Sequence, residues 1–124
     1  VLQVEALGGE RLLLTGDIDK TAERALLAAG RDLRADWLQV PHHGSGSSSS
    51  MAFLQAVAPH SMLLSRGRYN AYGHPHPAVM ARYRALGIEV YDNVPSGALY
   101  LLLGSTGKAQ GEREQRYFWR LTSR

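Results

Sequence analysis

The stretch Ala35-Asp36-Trp37-Leu38-Gln39-Val40-Pro41-His42-His43-Gly44-Ser45 decides the fold. Trp37 to Val40 shows no polar alternation beyond Gln39, the pattern of a strand covered on both faces, as in a parallel sheet. The strand runs directly into Pro41-His42-His43-Gly44-Ser45, so side chains with chemical potential stand at its carboxyl end. In α/β layers that is where sites form.

Upstream, Val1 to Ala6 and Arg11 to Thr15 are β-prone apolar runs separated by Gly8-Gly9, a hairpin signal that leaves Gly16-Asp17 at a strand end. A helix follows, with Ala22, Ala25, Leu26 and Ala29 at helical spacing, Asp19 as its cap and Gly30 closing it. Downstream, Gly46-Ser47-Ser48-Ser49-Ser50 is too short for a linker, and a serine there caps the helix Met51 to Val57, ended by Pro59. Ser61 to Ser65 reads as a strand, followed by the loop Arg66-Gly67-Arg68-Tyr69-Asn70-Ala71-Tyr72-Gly73 and then His74-Pro75-His76-Pro77. Pro77 opens a helix carrying Val79, Met80, Tyr83 and Leu86 inward, closed by Gly87; Ile88 to Tyr91 and Gly97 to Leu103 finish as strands. The order ββαβαβαββ predicts an α/β layered protein without internal repeats.

Composition bounds the function. At 124 residues, with 44% hydrophobic and 20% charged side chains, the chain is one small domain or a piece of one, not a disordered segment. No apolar run is long enough to cross a bilayer and no signal-peptide pattern opens the chain, so the stretch itself is expected to be soluble. With 0 cysteines, disulfides, thiolate zinc sites, iron–sulfur clusters and cysteine nucleophiles are excluded, and any metal must rest on His, Asp and Glu. The compartment stays open. Residues 1–104 are electrically balanced, and the +3 charge sits in the tail 105–124, in Lys108, Arg113, Arg116, Arg120 and Arg124 against Glu112 and Glu114. That tail, with Tyr117, Phe118 and Trp119, can stack on bases or dock onto the core.

Asp17, after a buried strand and beside a glycine, is placed to bind metal or simply to shape a turn. For His42-His43, adjacent residues on extended backbone face apart, so one ring is expected on a metal and the other towards substrate. His74 and His76, alternating with prolines, fit either a metal pair or a rigid loop with His76 near the helix cap. Asn70 and Tyr72 share that loop. His60 reads as structural and Asp92 as a turn residue.

Together, Leu14-Thr15-Gly16-Asp17-Ile18, the stretch 35–45 and Ser65 to His76 resemble the C-terminal half of a metallo-β-lactamase-fold domain. Within that fold they resemble the domain that ends ComEC-type competence proteins, the DNA-internalisation channels. The resemblance covers nearly the whole chain and implies half of an αββα sandwich over 1–104, with a basic aromatic tail. It implies a site for one or two divalent ions, zinc or manganese, with Asp17 as bridging carboxylate and His43 as ligand. His42, Asn70 and His74 would then be catalytic, and Ser45, Arg66, Arg68 and Tyr72 substrate contacts. The fold's first metal motif, His-x-x-x-Asp-His or a close variant, is absent, so the chain is expected to be a fragment that needs an upstream half. The implied function is a metal-dependent nuclease acting on single-stranded DNA during uptake, tethered to the membrane by an upstream channel segment, on the extracytoplasmic side. Two alternatives remain: a non-catalytic DNA-guiding domain, and a soluble metallo-hydrolase of the same fold acting on another phosphoester.

Overall fold

The computed structural model describes residues 1–105 and 107–114. Strands β1 (Leu2–Glu5), β2 (Arg11–Leu14), β3 (Trp37–Gln39), β4 (Ser61–Leu64) and β5 (Glu89–Asp92) form one sheet in that spatial order. β1 and β2 are the expected antiparallel hairpin, and β2 to β5 run parallel. The connections are helices α1 (Lys20–Ala28), α2 (Met51–Val57) and α3 (Pro77–Ala85). Because each crossover steps to the next strand in one direction, and such crossovers are right-handed, all three helices fall on one face.

The register shows that face. Leu13, Leu38, Met62 and Val90 align in one row across the sheet. They pack with Leu26 and Leu27 of α1, Phe53, Leu54 and Val57 of α2, and Val79 and Tyr83 of α3 in a single core. Alternation puts Leu12, Leu14, Trp37, Leu63 and Tyr91 on the other face, which no helix from α1 to α3 covers. Trp37 is nonetheless fully buried, edge-on to His60 and tilted against Tyr91, with its Nε1–H donated to Glu10 at 3.0 Å. The His60 Nδ1 lies 2.8 Å from Ser61 Oγ. Large apolar side chains remain exposed at the β1 edge (Leu2, Val4) and along the C-terminal segment (Tyr100, Leu102).

Caps follow the sequence closely. Asp19, Ser50 and His76 each accept a backbone N–H from the first turn of α1, α2 and α3. Several expectations need correction. Leu86 is the residue after α3 and is 38% exposed, because the helix ends before its side chain can turn inward. Ala25 and Ala29 also face solvent, while the buried member of α1 is a charged residue type, Glu23, at 0% exposure. The expected strand Gly97 to Leu103 contracts to β6 (Leu99–Tyr100), because its partner β7 (Gln110–Gly111) offers only two residues of pairing in a separate small sheet. A short helix, α4 (Asn93–Ser96), intervenes before β6, and Asp92 caps it by accepting from Val94 N. Past residue 104, Glu112 N donates to Ala98 O and Arg113 Nη1 to Val94 O, fastening this segment to α4 and to the residue before β6. Tyr117, Phe118, Trp119, Arg116, Arg120 and Arg124 lie outside the described residues.

Candidate metal centre

Three strand ends meet at one edge of the sheet. Gly16-Asp17 follows β2, the turn Pro41–Gly44 follows β3, and Ser65 follows β4. Gln39 ties the first to the second: its Oε1 accepts from both Thr15 N and Gly16 N at 3.1 Å. His42 N then donates to Gly16 O at 3.0 Å. These bonds fix where Asp17 leaves the sheet.

The two histidines are not on extended backbone. Pro41–Gly44 is a 3-10 turn in which His42 (φ 50°) and His43 (φ 54°) are both left-handed, an uncommon state for residues other than glycine. The extended backbone on which the two rings are expected to face apart is therefore replaced by a left-handed turn. The His43 ring points across to Asp17 and Ser65, whereas His42 lies edge-on to His74 with ring centroids 6.1 Å apart.

His43 carries the chemistry of the site. Its Nδ1 is 2.8 Å from Ser65 O, and a carbonyl can only accept, so Nδ1 holds the hydrogen. In the neutral ring Nε2 is then a bare lone pair, and it faces Asp17 Oδ1 at 3.3 Å. Two acceptors at that distance repel unless a proton or a cation lies between them. A backbone carbonyl fixing one ring nitrogen while the other turns to a carboxylate is the arrangement that orients metal-binding histidines. The separation also suits a metal: neighbouring ligands of a tetrahedral ion with bonds of about 2.0–2.1 Å stand about 3.3–3.4 Å apart. The donor set, one imidazole nitrogen and one carboxylate, suits zinc or manganese. Among the described residues no group of three or more such side chains gathers, so Asp17 and His43 make a partial site. Both are open to solvent, at 67% and 50% side-chain exposure.

Beneath the turn lies a polar knot. Both carboxyl oxygens of the buried Glu23 accept backbone N–H groups, Oε1 from Ser49 and Oε2 from Ser50. Ser48 Oγ donates within reach of Pro41 O (3.0 Å) and Ser45 O (2.9 Å), and Ser49 Oγ meets Tyr83 OH at 2.6 Å. Arg82 reaches the Ser49 carbonyl at 3.1 Å. Burial pushes the Tyr83 hydroxyl up to about 12, against a smaller opposing effect of the Ser49 hydrogen bond. The serine run is thus a buried support for the histidine turn as well as a helix cap.

The loop after β4 closes the other side. Gly44 has φ 83°, and a Cβ there would lie 2.6 Å from Pro75 Cβ, so only glycine lets the two loops meet. His76 N donates to Gly44 O at 2.8 Å across this contact. Asn70 builds the loop: Nδ2 donates to Gly67 O and His74 O, and Oδ1 accepts from His74 N at 2.7 Å. Ser45 is buried and hydrogen-bonded to Ser47. Arg66 forms a two-pronged ion pair with Asp92, Nη2 to Oδ2 at 2.6 Å, which gives Asp92 a second role beyond capping. Arg68 is exposed and makes no ion pair with any described residue. His76 is the exposed cap of α3, and His74 turns instead to His42 and Tyr72.

A hollow of about 210 Å³ results, lined by His43, Ser65, Arg66, Gly67, Asn70, Tyr72 and His74. His42 Nδ1 is buried with no described partner. A larger hollow of about 420 Å³ lies at the opposite end of the sheet by Glu10 and Asp36. Both carboxyls there are structural, Glu10 holding Trp37 and Gly104 N and Asp36 holding Arg11 N. Gln39, Glu23 and the Ser65 carbonyl are the working parts that the sequence did not flag; only Gln39 had a signal, as the lone polar residue of an apolar strand.

No family model and no solved structure matches the chain. Curated proteins do. The chain is 46% identical over 121 residues, 96% of its length, to the competence protein ComA of Neisseria gonorrhoeae. It is 34% identical over 92 residues to the ComE operon protein 3 of Bacillus subtilis, and 37% identical over 91 residues to the recombination protein 2 of Haemophilus influenzae, covering 74% and 73% of the chain. It spans only 17%, 12% and 11% of these relatives, respectively. Most of this α/β chain is therefore homologous to a segment of much longer proteins, one of them named for competence.

Proposed function

We propose that the chain is the C-terminal half of a metallo-β-lactamase-like domain in a DNA-uptake protein, and that it supplies Asp17 and His43 to a divalent-metal phosphodiesterase site acting on single-stranded DNA. The observation that carries this reading is the His43 ring, held by Ser65 O with its free nitrogen 3.3 Å from Asp17. The homology to the competence protein supports the DNA-uptake setting. A zinc or manganese ion there would supply Lewis acidity towards a phosphodiester and its attacking water. Asp17 and His43 hold and orient; Gln39 and Ser65 O keep them aligned. His42 and His74, ring against ring beside the hollow, can donate a proton to a phosphate or a leaving oxygen. Arg68, without an ion pair among the described residues, would meet the strand, while Arg66 is neutralised by Asp92 and Asn70 shapes the loop.

The remaining ligands would come from an upstream half-domain, seated on the sheet face of Leu14, Leu63 and Tyr91 that α1 to α3 leave uncovered. The membrane tether would likewise lie upstream; no described helix is long and apolar enough to cross a membrane. The test is cleavage of labelled single-stranded DNA by the complete protein. Cleavage should require divalent metal, His43→Ala should lose metal and activity, and His42→Ala should keep metal and lose turnover. Metal-independent cleavage, or metal loss only in His42→Ala, would overturn the assignment. A guiding domain without turnover is the second reading; intact DNA binding without cleavage in the complete protein would select it.

A further inference from the structure

The two most exposed aromatic side chains of the described chain stand on the loop at this hollow. Tyr69 is 91% exposed and Tyr72 is 84% exposed. Such large rings are normally turned inward, and here the loop itself prevents that: Asn70, between them, fastens its carboxamide to Gly67 O, His74 O and His74 N. Gly73 N closes the turn on Asn70 O at 3.3 Å. The tyrosines are thus presented on a braced loop, which lowers the ordering cost of using them. Tyr72 also stacks on His74, at 5.6 Å and 29° between planes, and His74 in turn meets His42 edge-on. A line of rings runs from solvent to the histidine turn beside the Asp17–His43 pair. Arg68, which makes no ion pair with any described residue, adds a positive charge next to Tyr69.

We infer that Tyr69 and Tyr72 form a stacking platform for unpaired bases, so that the loop selects a single strand over a duplex as it leads the backbone towards the site. Every base offers a π-face to such a platform, but only when it is unstacked from a partner strand, so the platform reads strandedness without reading sequence. Arg68 supplies the phosphate contact. The inference rests on the proposed site for its direction, but its test does not depend on cleavage.

The experiment is equilibrium binding to the complete protein with metal chelated, using three probes of equal length: an oligothymidylate, its abasic counterpart and a duplex. The base-bearing strand should bind about tenfold or more tightly than the abasic strand, and more tightly than the duplex. Tyr69→Ala/Tyr72→Ala should remove that preference while abasic binding changes less than about twofold. Tyr69→Phe/Tyr72→Phe should keep it, since the ring and not the hydroxyl stacks. Arg68→Ala should weaken base-bearing and abasic strands alike and flatten the salt dependence. Equal binding of base-bearing and abasic strands by the unaltered protein would overturn the platform even if cleavage is observed. So would a preference that survives the double alanine change, or tyrosine-dependent binding to anionic vesicles without any base preference. Base preference with no cleavage would instead leave the platform standing and remove the hydrolytic reading.

Discussion

The two sides of the Pro41–Gly44 turn are built on opposite principles. On its outer side Asp17 and His43 face each other in solvent, held from behind by Gln39 and the Ser65 carbonyl. On its inner side Glu23, Ser48, Ser49 and Tyr83 are buried and hydrogen-bonded to one another or to backbone. The outer pair is open to solvent, whereas the inner knot is buried and satisfied. Buried polar groups with full partners are expensive to break, whereas exposed charges contribute little to stability. A division follows: the knot holds the turn in its left-handed shape, and the pair is free to take a ligand.

The strongest way to break this comparison is Glu23→Ala. It strands the Ser49 and Ser50 N–H groups and empties a buried site, for an expected loss of about 4 kcal/mol in chemical denaturation. Glu23→Gln, which keeps one acceptor oxygen, should lose about half as much. A loss below about 1 kcal/mol in Glu23→Ala would show that the knot does not support the turn.

Tyr83 sharpens the same point through pH. Burial raises its folded value to about 12 from an ordinary 10, so the folded state keeps the proton that the unfolded chain gives up. Stability from this group is therefore complete below about pH 10 and falls as pH rises through about 12, by about 3 kcal/mol at the limit. Denaturation midpoints across that window should show the decline, and Tyr83→Phe should flatten it. A decline of equal slope in Tyr83→Phe would assign it to other groups.

How much of this was legible in the sequence depends on what each part is made of. The parallel sheet was readable because Trp37 to Val40 and Ser61 to Leu64 are short apolar runs, and the caps because Asp19, Ser50 and His76 sit where orphan N–H groups need them. Converging strand ends brought Asp17 near the histidine pair, and the family resemblance, not the spacing, singled out His43. The left-handed turn at His42 and His43 was not legible, because a positive φ outside glycine is imposed by contacts from outside the turn, here Gly16 O on His42 N and the Ser48 hydroxyl on Pro41 O. Glu23 reads as a surface charge on a helix, and only the serine run folding over it makes it interior. Ser65 acts through its carbonyl, which every residue possesses, so no residue type announces it. Gly97 to Leu103 has strand composition, but strand length is set by the partner, and β7 is two residues long.

Gly44→Ala tests whether the turn and the loop after β4 act as one unit. The new Cβ would press on Pro75 in a left-handed backbone state, and about 2 kcal/mol should be lost. The loop would shift, moving His74 from His42, so the ring-to-ring contact should weaken together with stability. Histidine resonances report both: a variant that loses stability but leaves the His42 and His74 signals in place would separate the two loops functionally.

The smallest change in stability should come from the residue with the largest expected role. Asp17 is 67% exposed and its described side-chain contact is His43 Nε2. Asp17→Asn keeps the shape and removes the charge, so denaturation should shift by less than about 0.5 kcal/mol. The carboxylate is also what a divalent ion would bind, and a carboxamide is a poor substitute for it at such an ion. Calorimetric zinc titration of the complete protein should therefore show affinity lowered at least tenfold in Asp17→Asn, with the melting temperature in chelator unchanged. A fall in stability close to that of Glu23→Ala would make Asp17 part of the scaffold. Unchanged zinc affinity would move the metal away from the His43 side of the turn, and the 3.3 Å contact would then be an ion pair with a protonated ring.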